Sequence, residues 1–191
     1  MDDTPWTRPE ALDAILAAAA AQGFEMSCED RTGALLATLA ASKPGGQMAE
    51  LGTGVGAGAA WLLHGMNPTA RLTSVEMDPE RQMVAIQHLG EDPRVKFRSA
   101  NADTWLDAYR GPLLDLVYVD CRPGKFRRLG ELLALMAPGG IYIVDDLMPQ
   151  STWPDDHQPR VTTFLEQLPE VPNLLSTPLR WASGLVVGVR I

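Results

Sequence analysis

Apolar residues along this chain recur in two rhythms, and the switches between them mark out the elements. Pro9 to Gln22 carries alanine and leucine at helical spacing, with Thr7 placed as a cap, Pro9 in the first turn and Gly23 as the stop. Glu29 to Ala41 predicts a second helix, closed by Ser42-Lys43-Pro44-Gly45-Gly46. Gln47 to Leu51 predicts a first strand that runs into a glycine-rich turn, and Gly58 to Met66 continues as helix. The pattern then alternates: strand over Arg71 to Glu76, helix over Pro79 to Leu89, strand over Val95 to Arg98, helix over Asp103 to Tyr109. Leu113 to Val119 is a nearly unbroken apolar run, as a strand covered on both faces requires. A helix over Phe126 to Met136 and a strand over Gly140 to Val144 follow. Leu147 to Pro159 reads as a long loop and Arg160 to Leu168 as a helix. Asn173 to Pro178 and Gly184 to Arg190 close the chain as two strands around a turn.

Repeated strand–helix units define an α/β fold: a Rossmann-like, doubly wound, seven-stranded, mostly parallel sheet with helices on both faces. The last two strands have no helix between them, so one C-terminal strand should run antiparallel. No repeat, low-complexity tract or linker interrupts the pattern. Residues 1–191 therefore read as a single domain, with 1–45 as an N-terminal helical extension.

Composition narrows the function classes. A length of 191 residues with 46% hydrophobic content supports a real core. A net charge of -8 disfavours nucleic acid, whose affinity comes largely from Lys and Arg on phosphates, and disfavours anionic membranes. Cys28 and Cys121 are far apart and in no metal-ligand pattern, so they read as free thiols in a reducing cytoplasm. The N-terminus has no signal-peptide h-region, and Ala17 to Ala21 is too short to span a bilayer. The expected address is cytoplasmic. Whether the chain forms a homodimer stays open.

The chemistry concentrates in Glu50-Leu51-Gly52-Thr53-Gly54-Val55-Gly56. Alternating glycines at a strand-to-helix junction let backbone approach a ligand closely. A carboxylate directly before them would repel a pyrophosphate, and Gly-x-Gly-x-Gly is not the nicotinamide spacing. A ligand with a cationic or neutral head and a ribose fits better, and S-adenosylmethionine (SAM) is such a ligand. Glu76, in Val75-Glu76-Met77-Asp78-Pro79, ends the second strand where an acid accepts from ribose hydroxyls. Asp103 and Trp105, after the third strand, are candidates to border an adenine; Asp103 is equally a helix cap.

Asp120, Asp145 and Asp146 end the fourth and fifth strands, on the edge where open parallel sheets bind ligands. Three converging carboxylates repel one another unless protonated or bridged by a cation. Oxygen ligands suit Mg2+ or Ca2+. The alternative is that Asp120 touches SAM or substrate without metal while Asp146 caps the loop.

These residues resemble the class I SAM-dependent methyltransferases, and within them the small catechol and caffeoyl-CoA type O-methyltransferases. The resemblance runs from Asp30-Arg31-Thr32-Gly33-Ala34-Leu35-Leu36, through Ala49 to Gly56, to Pro178-Leu179-Arg180-Trp181-Ala182-Ser183-Gly184-Leu185. It implies methyl transfer to a hydroxyl of a small, aromatic acceptor, with a divalent cation on Asp120, Asp145 and Asp146. Departures are visible: Asp146 stands for the family's Asn, and Ala57-Gly58 for a Tyr-Ser pair. The family's catalytic lysine position is Pro123, with Lys125 two residues on. Lys125 reaches inward only if its loop bends differently, and it is otherwise a solvated lysine. His157, in the long loop, is a second candidate base, and Trp153 either covers the acceptor or packs on the sheet edge. Rival readings are metal-independent transfer to another nucleophile, and SAM binding without transfer.

Overall fold

The structure, a computed structural model, describes residues 3–151 and 153–191. Met1 and Asp2 of the acidic N-terminus, and Thr152 of the long loop, lie outside the described residues.

The described residues form fifteen elements that follow the expected alternation. Helices α1 (Leu12–Ala21) and α2 (Asp30–Ala41) precede β1 (Gln47–Leu51), α3 (Ala57–Gly65), β2 (Arg71–Glu76), α4 (Pro79–Leu89) and β3 (Val95–Ser99). Then come α5 (Ala102–Ala108), β4 (Leu114–Val119), α6 (Leu129–Ala134), β5 (Met136–Val144) and α7 (His157–Gln167). A 3-10 turn (Leu168–Glu170) leads to β6 (Leu174–Leu179) and β7 (Leu185–Arg190).

The seven strands are ordered β3-β2-β1-β4-β5-β7-β6. Strands β1 to β5 pair in parallel, and β7 runs antiparallel to both β5 and β6, as the missing crossover helix requires. The chain winds outward from β1 to β3, then returns to place β4 on the other side of β1. That reversal opens a crevice at the carboxyl ends of β1 and β4, where ligands of such sheets bind.

Period-two alternation sends each strand's side chains into two cores. Met48, Leu72, Leu116, Tyr118 and Ile143 face a layer holding Ile15, Leu36, Leu62 and Val84 from α1 to α4. Ala49, Leu51, Val75, Val117, Val119 and Val144 face Leu106, Leu132, Val161 and Phe164 from α5 to α7. Burial on both faces explains the nearly unbroken apolar run of β4.

Four boundaries differ most from the sequence reading. Helix α1 starts at Leu12 with Ala11 at its N-cap, so Pro9 precedes it and Thr7 is not its cap; Thr7 Oγ1 lies 3.1 Å from His64 Nε2 instead. Helix α6 is only Leu129–Ala134, because Arg128 takes φ 61 and a bridge between Pro123 and Arg127 ties the preceding residues into a tight loop. Strand β5 begins at Met136 rather than Gly140, with a register shift between Leu114 and Leu116 absorbing the extra residues. Helix α7 begins at His157, which moves Pro159 into its first turn, where a missing N–H costs nothing.

Candidate functional site

A cavity of about 420 Å³ opens at the carboxyl ends of β1, β2 and β4. Its walls include Glu50, Gly52, Gly54, Glu76, Asp120 and Asp146, so the sequence motifs do converge. Thr53 and Met77 also line it. Gly52, Gly54 and Gly56 all hold positive φ, which lets the loop turn from β1 into α3 within a few residues. A Cβ on Gly52 would lie 2.6 Å from the Asp120 carbonyl oxygen, so this glycine lets the ends of β1 and β4 approach.

Glu50 is fully buried beneath that loop. Ser74 Oγ donates to its Oε2, while Oε1 has no hydrogen-bond partner in the protein. Burial, partly opposed by the Ser74 hydrogen bond, pushes its pKa up to about 8. A buried carboxyl with one unsatisfied oxygen beside an open cavity is a receptor for a donor, and best for a cationic one. Gly58 belongs to this arrangement. A Cβ there would overlap Glu50 Oε1 and lie 3.0 Å from the Tyr118 ring, so no side chain fits where the resembling family has Ser.

A buried polar chain fixes Glu50 from behind. Ser74 Oγ and Thr53 Oγ1 lie 2.6 Å apart, Gln82 Nε2 donates to Thr53 Oγ1 (3.2 Å) and Ser99 Oγ donates to Gln82 Oε1 (2.6 Å). Gln82 also donates to the carbonyls of Ser74 and Arg98, so α4 is stitched to β2 and β3. At the end of β2, Glu76 Oε2 accepts from Gly54 N (2.9 Å). Its Oε1 accepts from the amides of Met77 (2.9 Å) and Asp78 (3.0 Å), so the carboxylate is held over the glycine loop.

Asp120 and Asp146 form the acidic side of the cavity, and Asp145 is buried behind them without lining it. Burial first, then the neighbouring Asp146 and Asp145 charges, push Asp120 well above the usual carboxylate range. Asp145 is raised by burial and by Asp146. Its carboxylate is already occupied: Oδ2 accepts from Tyr118 Oη at 2.8 Å, and Oδ1 accepts from Ser183 Oγ and from Asp146 N (2.8 Å). Asp146 sits in the left-handed region at φ 59, which Asn and Asp tolerate better than most residues. Lys125 is 3% exposed, and its Nζ donates to the Asp145 carbonyl at 2.9 Å. The tight loop around Pro123-Gly124 turns it inward, so it is not the solvated lysine the spacing allowed.

A divalent ion shared by all three aspartates does not fit this arrangement. Such an ion needs free carboxylate oxygens converging on one point. Asp145 is buried with its carboxylate on Tyr118 and Ser183 and does not line the cavity, and among the described residues no group of three or more His, Cys, Asp or Glu is disposed to hold an ion.

Besides Asp145 and Lys125, which are buried and do not line the cavity, four expected site residues stand elsewhere. Asp103 pairs with Arg127 at 2.5 Å and with Arg128, and it does not line the cavity; Asn101, not Asp103, caps α5. Trp105 is 8% exposed in the core, its ring 4.9 Å from Tyr109, so Asn101 and Ala102 form the cavity wall there. Gly56 faces Ala85 of α4 and serves helix packing rather than the cavity. The His157 ring lies 4.1 Å from Trp153 and 5.2 Å from Phe126, with Nε2 3.3 Å from the Asp146 carbonyl. Burial lowers the His157 pKa, and the ring supports the loop behind Asp146 without lining the cavity. Trp153 packs on the core edge, the second of its two expected roles. Sequence reasoning missed Phe24, Met26 and Cys28, which wall the cavity from the α1–α2 connection, as well as Ser74, Tyr118, Gln82 and Ser183.

This sheet order, glycine loop and crevice define the Rossmann-like methyltransferase fold. Residues 49–147 match a family model described as a methyltransferase domain, and the chain belongs to that family. A candidate O-methyltransferase of Mycolicibacterium vanbaalenii is 32% identical over 140 residues, covering 69% of this chain and 62% of that protein. The chain thus spans somewhat under two thirds of that curated relative's length. Among solved structures, the O-methyltransferase of Bacillus cereus in complex with SAH superposes with a TM-score of 0.84 at 20% identity, covering 99% of this chain and 94% of that one. TomG of Streptomyces achromogenes, solved with SAM, gives 0.82 at 22% identity over 96% and 91%.

Proposed function

We propose that this chain is a SAM-dependent O-methyltransferase acting on a hydroxyl of a small, aromatic acceptor. The observation that carries the reading is the buried Glu50 carboxyl, with one unpartnered oxygen, under a glycine loop at the crevice of a methyltransferase fold. SAM supplies an electrophilic methyl on a sulfonium. Glu50 takes the amino group of its methionyl portion, Gly52 to Gly54 let backbone approach it, and Glu76 offers acceptors to the ribose hydroxyls. Asn101 and Ala102 bound the adenine end, taking the place expected of Asp103 and Trp105.

Phe24, Met26 and Cys28 give the opposite wall an apolar character that suits an aromatic acceptor. The acceptor oxygen forms a bond to the methyl carbon as the carbon–sulfur bond breaks, leaving SAH. Asp120, recessed in the cavity and raised in pKa, takes the hydroxyl proton. Alignment for in-line attack supplies much of the remaining rate. The likeness to SAM- and SAH-bound folds supports the donor; the acceptor class rests on the cavity walls. The test is a methyl-transfer assay over catechols, other phenols and amines. Methyl ethers are the expected products, and methylation of amines alone would refute the assignment.

A further inference from the structure

We propose that Lys125 is the resident cation of the acid cluster, buried behind the strand-end aspartates on the Asp145 carbonyl, so that methyl transfer by this chain needs no metal. The proposal rests on the methyl-transfer reading and concerns the same site.

Asp120, Asp145, Asp146 and Glu50 bring four acids to one end of the sheet. Acids so placed must be protonated or balanced by positive charge. The rim cations are committed elsewhere. Arg122 pairs with Asp156 at 3.0 Å, and Arg127 with Asp103. Lys125 has no carboxylate partner of its own among the described residues, yet it is buried with Nζ on the Asp145 carbonyl and 5.0 Å from the Phe126 ring centroid. A buried ammonium left uncompensated would cost several kcal/mol, so the charge that balances it is the cluster's.

The loop is built to hold it there. Gly124 takes φ 83, its amide donates to Arg127 O at 2.8 Å, and Tyr142 Oη donates to Gly124 O at 2.6 Å. The lysine therefore enters from a position further along the chain than the resembling family's. Asp145, turned to Tyr118 and Ser183, completes the arrangement by withdrawing a ligand that a metal would need.

The test uses Mn2+ as the probe, followed by electron paramagnetic resonance on the whole chain, with SAH calorimetry on the same samples. Wild-type protein should leave Mn2+ free, and its methyl transfer should be unchanged by EDTA. Lys125→Met, which removes the buried positive charge, should bind Mn2+ roughly ten- to a hundredfold more tightly than wild type. Adding Asp120→Asn should abolish that gain. Stoichiometric Mn2+ binding by the wild type, or no gain in Lys125→Met, overturns the proposal. Should Lys125→Met fail to fold, Lys125→Gln replaces it, and the wild-type Mn2+ spectrum decides on its own. Failure of the wild type to bind SAH would instead refute the methyl-transfer reading, while the Mn2+ result still judges the lysine.

Discussion

Glu50 is the residue whose protonation links fold and ligand. Its folded pKa, about 8, lies above the ordinary carboxylate value of 4.5. The folded apoprotein therefore holds a proton that the unfolded chain releases. The contribution of this group to stability is greatest below pH 4.5 and declines as pH rises to about 8, beyond which it is flat. Denaturant midpoints measured across that window should show the decline, and Glu50→Gln should flatten it. Binding of a cationic amino group favours the ionised form. SAM binding at pH 7 should therefore release about one proton, detectable by calorimetry in buffers of different ionisation enthalpy. Glu50→Gln should weaken SAH binding roughly ten- to a hundredfold, the loss of one charge-assisted hydrogen bond. Gly58→Ala, whose Cβ would overlap Glu50 Oε1, should cost about 1–3 kcal/mol in urea denaturation and weaken SAH as well.

At the scale of elements, strands and most helices were legible because burial imposes a period on local sequence. Glu50, Gly52, Gly54 and Glu76 were legible because strand, turn and strand end are local events. What could not be read was long-range. Ser74 looks like an ordinary strand residue until Thr53 and Gln82 are beside it, and Tyr118 looks like core until Asp145 is opposite. Asp103 was misplaced because nothing local reveals that Arg127 and Arg128 will draw its side chain away. The inward path of Lys125 depends on the left-handed Arg128 and the Pro123-Gly124 turn, which a helical reading from Phe126 onward concealed. The polar stitching of α4 gives a prediction at this scale. Gln82→Leu removes a donor from buried Thr53 and from the Ser74 carbonyl, so it should cost about 1–3 kcal/mol by urea denaturation. The same change should weaken SAH, because Thr53 and Ser74 set the position of Glu50.

The whole molecule turns one topological fact into a site. Reversal of the winding between β1 and β4 leaves their carboxyl ends uncovered, and the glycine loop, Glu76 and the aspartates are the residues that end those strands and their neighbours. A ligand there touches the ends of several strands at once, so binding should stabilise the sheet as a unit. SAH at a hundred times its Kd should add about 2.7 kcal/mol to the unfolding free energy, read as a shift of the thermal midpoint. Mn2+ should add nothing. The most direct measurement incubates the purified chain with methyl-labelled SAM and a panel of catechols, other phenols and amines, with EDTA throughout. The expected result is label in a methyl ether of an aromatic hydroxyl, at a rate EDTA does not lower. Absence of label in every acceptor while SAM binds, or transfer that vanishes with EDTA and returns with Mg2+, would contradict it.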